Sequence, residues 1–193
     1  GRGGVLNFAV PDAVKTTKAG LEQEWAGSNL KTTTASVKFK YAPTERWYFE
    51  GGYQWQKAIR DMYGTDTSFT NSNGDFTVAA NGGNGAASRF DVQSWFAKAT
   101  TEFETFGIEH NFGVQANGYI WTIYGARTRG ATANLGNSNL HNPRIFSNPG
   151  VAKGSGAYKS SQSTMKNLTI ADDIKLNDYF SVILSAARSN FEN

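Results

Sequence analysis

The chain has no cysteine, which rules out a disulfide framework and any thiolate metal site, and by itself neither demands nor excludes export. His110 and His141 are the only imidazoles. They stand far apart, with no carboxylate at ligand spacing, so no metal centre is expected. No stretch approaches the ~20 apolar residues of a membrane helix, and mean hydropathy is −0.48. Neither sign of charge dominates: 19 Lys and Arg face 16 Asp and Glu, for a net +3. The cations are scattered, so no nucleic-acid footprint is expected. The opening Gly1-Arg2-Gly3-Gly4 lacks the basic-then-apolar layout of a leader, so an exported protein would be met here as a mature form or a fragment.

What the chain does have is aromatic residues: five Trp, eight Tyr and thirteen Phe among 193 residues. That number of residues suffices for one domain with a real core. An aromatic-rich chain that is polar on average and has no apolar helix is either a soluble β protein or a membrane barrel. In a barrel, half of every strand faces water.

The segment 47–56 shows period-two alternation most clearly. Trp47, Phe49, Gly51, Tyr53 and Trp55 share one phase; Tyr48, Glu50, Gly52, Gln54 and Gln56 share the other. Val37, Phe39 and Tyr41 alternate with Lys38 and Lys40 just before it. The turn Ala42-Pro43-Thr44-Glu45 then makes a hairpin, with Tyr41 and Trp47 beside the turn where an interfacial aromatic girdle would sit. A second hairpin turns at Glu104-Thr105-Phe106. Residues 107–121 put Ile108, Phe112, Val114, Ala116 and Ile120 on one face. Their partner, 89–103, offers Trp95, Ala97, Ala99, Thr101 and Phe103 on one face and Lys98, Thr100 and Glu102 on the other. A third joins 165–176 to 179–190 through Asn177-Asp178, with Leu168, Ile170, Ile174 and Leu176 in one phase, and Phe180, Val182, Leu184 and Ala186 in another. Asp172 falls on the apolar phase, which places it near an interface or a neighbouring loop.

Between these hairpins run long polar stretches, near 58–88 and 122–164, without sustained periodicity and rich in Asn-Gly and Gly-Gly steps. Clipped turns alternating with long connections are the plan of an antiparallel up-and-down transmembrane β-barrel. The first thirty residues suggest a short strand, Val5 to Val10, ended by Pro11. A second, Ala19 to Trp25, turns at Gly27-Ser28-Asn29 into the strand that ends at Tyr41. If the short turns are periplasmic, the last strand climbs outward. A self-contained bacterial barrel has an even strand count with both ends on the periplasmic side, so a section of a larger barrel is expected.

Other constellations are weaker. Ser94, His110 and Asn111 on adjacent strands resemble a barrel lipase only as chance neighbours do. The Gly-rich stretch 81–86 lacks the Lys and the following helix of a phosphate cradle. Asn167-Leu168-Thr169 matches a glycosylation sequon, but inside a strand.

Three stretches resemble the TonB-dependent ferric-siderophore receptors. Phe90-Asp91-Val92-Gln93-Ser94-Trp95-Phe96-Ala97-Lys98-Ala99-Thr100 running into Gly107-Ile108-Glu109-His110-Asn111-Phe112 is similar to that family's mid-barrel hairpin. Asn139-Leu140-His141-Asn142-Pro143-Arg144-Ile145-Phe146 resembles its "Asn-x-x-Asn-Pro" loop. Asp172-Asp173-Ile174-Lys175-Leu176, followed by Arg188, resembles its "Gln-Asp-x-Ile-Lys-Leu" hairpin and the "Gly-x-Arg-Tyr" beyond it, with Ala171, Ala186 and Ser189 departing from the pattern. Gly3-Gly4-Val5-Leu6-Asn7-Phe8 is similar to the end of the plug domain.

The resemblance implies a section of a roughly 22-stranded plugged barrel in the bacterial outer membrane, not an enzyme. Residues 1–18 would be the end of the plug or a lead-in, and 19–193 a partial barrel. It implies a ferric siderophore as ligand, the TonB complex as an energy-supplying partner engaged through parts outside these residues, outer-membrane lipid around the barrel, and no cofactor. Ferric siderophores are bulky and often anionic chelates, which suit aromatic faces and guanidinium groups. The candidate contacts are therefore Tyr63, Phe69, Phe76, Tyr124, Arg127, Arg129 and Phe146, each with packing of the loops as the plainer alternative. Two other readings stay open: a small structural or adhesive outer-membrane barrel of about eight strands, and a soluble carbohydrate-binding β-sandwich that buries the same aromatics in a shared core.

Overall fold

Alternating side chains become antiparallel strands in the computed structural model, which describes residues 7–17 and 19–193. The strands are β1 (Gly27–Tyr41), β2 (Trp47–Phe69), β3 (Asp75–Asn81), β4 (Arg89–Thr105), β5 (Ile108–Thr128), β6 (Thr132–Asn139), β7 (Ser155–Lys175) and β8 (Ser181–Glu192). Their order in the sheet is β6-β3-β2-β4-β5-β7-β8, and β1 also pairs with β2. The order runs from β6 to β8 without closing. The three expected hairpins are present.

Turn chemistry accounts for each hairpin. Thr44 Oγ1 accepts the Trp47 N–H at 3.2 Å in the first. In the second, the two linking residues are Phe106 and Gly107, at φ 53° and 78°. The turn therefore lies later than Glu104-Thr105-Phe106, because a two-residue hairpin loop of this type needs positive φ at both central positions and Gly107 adopts it freely. In the third, Asn177 Oδ1 accepts the N–H groups of Tyr179 at 2.9 Å and Phe180 at 3.0 Å. This side-chain turn sets the β7–β8 register from Thr164↔Glu192 to Lys175↔Ser181.

The long polar stretches depart from expectation. β2 continues to Phe69 and β5 to Thr128, β7 starts as early as Ser155, and β3 and β6 lie wholly inside the stretches read as irregular. β2 pairs with β3 from Gly64↔Asn81 to Phe69↔Phe76. β3 pairs in turn with β6, where the register steps between Val78 and Ala79. The extra residue is Leu135, and Gly136 beside it takes φ 109°. β6 is rich in Asn and carries no hydrophobic stripe, so its stability comes from the neighbouring backbone, whereas β3 alternates Phe76, Val78 and Ala80 with Asp75, Thr77 and Ala79.

The lead-in also differs. Residues 7–17 and 19–26 form no strand, so neither short strand expected before Gly27 is present among the described residues. The expected Val5–Val10 strand and the plug-end resemblance at 3–8 fall partly on residues 1–6, outside the described residues.

The chain divides into two compact units. The first takes in the described residues of 1–31 with 59–89 and 125–158. Its core is narrow: Phe76, Val78 and Ala80 on alternate positions of β3 are 4%, 2% and 0% exposed, with Ala87 nearby in the chain at 6%. The second takes in 32–58, 90–124 and 159–193. None of the buried apolar side chains found among the described residues belongs to it. Val37, Phe39, Tyr41, Leu168, Ile170, Val182 and Leu184 all lie exposed. A β-sandwich would bury such residues between two sheets; here a single sheet leaves one face apolar and open.

Within the second unit the apolar face is nonetheless ordered. Trp47 stacks on Phe49 at 5.7 Å with 7° between the rings, and Tyr41 stacks on Phe49 at 6.3 Å. The Phe39 ring fills the space over Gly51, where an added Cβ would lie 2.4 Å from its edge. On the other face Lys38 pairs with Glu50, its Nζ 5.8 Å from the Phe96 centroid.

Candidate functional site

In the first unit, three connections meet at glycines. Gly82 and Gly83 follow β3, Gly130 lies between β5 and β6, and Gly154 precedes β7. An added Cβ at Gly83 would fall 1.7 Å from the Met62 carbonyl oxygen. At Gly82 it would fall 2.2 Å from that of Ala152, and at Gly130 2.1 Å from that of Gly83. Backbone hydrogen bonds tie the same segments: Gly82 N–H to Ala131 O at 3.0 Å, Ala131 N–H to Ala152 O at 2.8 Å, and Gly154 N–H to Gly83 O at 2.9 Å. The Gly-rich 81–86 run is therefore a place of close backbone approach, where a side chain would not fit. The connections form a folded platform.

The β2–β3 turn is held by Asp75. Its carboxylate accepts Asn71 Nδ2 at 2.8 Å and Asn139 Nδ2 at 2.7 Å. The hydrogen bonds from Asn71 and Asn139 hold the Asp75 carboxyl below its ordinary range.

The residues expected to meet a ligand are distributed unevenly over this framework. Tyr63 is half-buried on β2 and lines a pocket of about 430 Å³ with Glu22, Ala26, Thr65 and Asp66. Lys153 Nζ lies 4.7 Å from the Tyr63 centroid and pairs with Asp61. Phe69 is exposed and meets Phe76 edge-on at 5.6 Å. Phe76 itself is a correction: its side chain is buried in the β3 core and presents no surface to a ligand. Arg127 is exposed, its guanidinium 6.0 Å from the Tyr158 centroid. The Tyr158 ring lies over Gly125, where an added Cβ would meet it at 3.3 Å. Arg129 is exposed just past the end of β5, and Tyr124 is half-buried in the second unit.

Phe146 is the most constrained of the set. Its N–H donates to Gln23 Oε1 at 2.7 Å, and its carbonyl accepts Trp25 Nε1 at 2.9 Å. Gln23 Nε2 donates to Gly20 O at 3.2 Å and to Arg144 O at 3.1 Å. The Arg144 guanidinium lies 5.0 Å from the Phe146 centroid. Sequence reasoning missed Gln23, Trp25, Arg144, Lys153 and Tyr158 as members of this group. Arg144, Lys153 and Tyr158 carry the signal that picked out the others, a cation or an aromatic in a long polar stretch. Gln23 carries none.

The second unit holds one polar pair on its apolar phase. His110 shares its alternation with Ile108 and Phe112, and Asp172 shares its own with Ile170 and Ile174. His110 Nδ1 lies 2.8 Å from Asp172 Oδ2, with both side chains about four-fifths buried. The Phe103 ring covers the imidazole at 4.8 Å and 5°. An acid on an apolar face is thus placed by a partner on the adjacent strand.

No protein-family profile matches the chain, and no curated protein sequence does. Solved structures do. The ferric preacinetobactin receptor BauA from Acinetobacter baumannii is 15% identical, with a TM-score of 0.55, over 89% of this chain and 29% of that one. The ferric-catecholate import receptor Fiu from E. coli K12 is 13% identical. Its open form gives a TM-score of 0.59 over 88% of this chain and 26% of that one; its closed form gives 0.60 over 88% and 24%. The chain thus spans between about a quarter and three-tenths of the length of these neighbours. They are receptors by name, not enzymes. The chain shares the fold of a section of the β-barrels of these ferric-siderophore receptors.

Proposed function

We propose that the chain is part of an outer-membrane receptor that binds a ferric siderophore and imports it with energy delivered through TonB. The observation that carries this reading is the fold shared with BauA and Fiu over nearly nine-tenths of the chain. The second unit supports it physically. Its open apolar face suits lipid, and Tyr41, Trp47, Phe103, Phe106, Tyr179 and Phe180, all exposed, sit at or beside the three short turns. Aromatics in that position form the girdle of a barrel at the membrane interface.

Ligand capture falls to the first unit, through Tyr63, Phe69, Arg127, Arg129 and Phe146, with Tyr124 continuing along β5. Exposed guanidinium groups and aromatic faces are the side chains that meet a bulky anionic chelate. The test is uptake of radiolabelled iron from ferric siderophores in cells that carry the intact protein, with and without TonB. Uptake that needs TonB and falls at least tenfold in the Arg127→Ala/Arg129→Ala double variant is the expected result. Uptake indifferent to TonB, or a protein that stays soluble without detergent, would overturn the reading.

A further inference from the structure

We infer that residues 20–26 form a releasable strap, latched by Gln23, whose release opens the pocket beside Tyr63. The strap lies outside every strand, and so does the 143–146 segment to which it attaches. Three hydrogen bonds converge on the Gln23 side chain, which is only 4% exposed. Two of them cross to the far segment: Nε2 to Arg144 O, and Oε1 from the Phe146 N–H. The third, to Gly20 O, closes the strap on itself. Trp25 Nε1 adds a further link, to Phe146 O.

The far segment is anchored independently. Arg144 N–H donates to Ser138 Oγ at 2.9 Å, and Arg144 Nη1 donates to Asn137 O at 3.2 Å. It is the fixed side of the latch; the strap is the side that can move. Gly20 permits the close fit, at φ +84° with its missing Cβ directed at Pro143 from 3.1 Å.

What the strap covers gives the latch its consequence. Glu22 and Ala26 form one wall of the pocket; Met62, Tyr63, Gly64, Thr65 and Asp66 of β2 form the opposite one. Glu22 Oε1 accepts Thr65 Oγ1 at 3.2 Å across it, and Ala26 sits 3.1 Å from where a Gly64 Cβ would be. Lifting the strap removes that wall and bares the half-buried Tyr63 and Thr65. A strand edge would hold the strap by a ladder of backbone bonds that no single substitution removes. A latch through side chains can be undone at one residue, because its amide is both donor and acceptor in a dry site.

The test is hydrogen exchange, read by mass spectrometry, on the intact protein and its Gln23→Leu variant. Leucine keeps the bulk and removes every hydrogen bond. Peptides covering 20–26 and 143–146 should exchange on the order of 100-fold faster, from three lost bonds of about one kcal/mol each. Peptides from 62–66 should also gain exchange, while those from 95–120 stay unchanged. Gly20→Ala, which strains the strap at its positive-φ residue and presses it off Pro143 while keeping the Gln23 amide, should give the same pattern more weakly and serves if Gln23→Leu does not accumulate. Unchanged protection of 20–26 in both variants would overturn the latch. So would acceleration spread evenly to 95–120, because Gln23 would then support the whole fold.

Discussion

The two units bury opposite things. In the first, the apolar side chains on one face of β3 are sealed, glycines let three connections touch backbone to backbone, and polar groups find specific partners. In the second, the large apolar side chains are on the outside, and the pattern inverts the usual rule that such residues are withdrawn from solvent. Several strands belong to both: β1, β2, β4, β5 and β7 each contribute residues to each unit. A continuous strand can thus change the composition of its faces along its length without changing its backbone, because period-two geometry fixes only which face a side chain takes. The surroundings decide what that face should be made of.

The sharpest way to break this contrast is to delete matched apolar groups from each unit. Phe76→Ala should cost about 3–5 kcal/mol, as expected when a buried aromatic leaves a cavity. Leu184→Ala, at a 58% exposed position, should stay within about 0.5 kcal/mol in detergent. Denaturant titration of both variants checks the pair; equal losses would show that the apolar face of the second unit is a true core.

Next in size is the exception within the second unit. His110→Ala strands the Asp172 carboxylate, whose Oδ1 already lacks a partner. The expected loss is about 1–3 kcal/mol. A His110→Ala/Asp172→Ala double variant should recover part of it. If the double variant is as unstable as the sum of the singles, the pair is not coupled.

The smallest effect lies in the first unit. The Asp75 carboxyl is held below its ordinary value of 3.8 by Asn71 and Asn139. The folded state therefore binds fewer protons there than the unfolded one. The stabilisation is complete above the unfolded value and is lost as pH falls through the depressed folded one. Backbone amide signals of 70–76 should hold steady from about pH 8 to pH 5 and change only in stronger acid. Asp75→Asn should remove that change.

What could be read from the residues in order was the part governed by local periodicity. The 47–56 alternation, the three short turns and the antiparallel all-β class are all visible because a strand's side-chain period and a turn's chemistry are properties of neighbouring residues. Even β3 carried a faint trace, since Phe76, Val78 and Ala80 alternate with Asp75, Thr77 and Ala79. Three apolar positions between glycine-rich turns were too few to stand out. β6, with Thr132, Asn134, Asn137 and Asn139, had no such trace, and it is a strand because β3 lies beside it.

The candidate site divides the same way. Composition marked Tyr63, Arg127 and Phe146 as cations and aromatics in long connections. It also marked Phe76, which the sheet then buried. Tertiary structure alone brought Gln23 to Phe146 and His110 to Asp172, across separations of 123 and 62 residues. A hydrogen bond between distant residues depends on where two backbones arrive. The sequence by itself determined the alternation and the turns, which act over two to four residues; the pairing of strands decided which polar side chains would find each other.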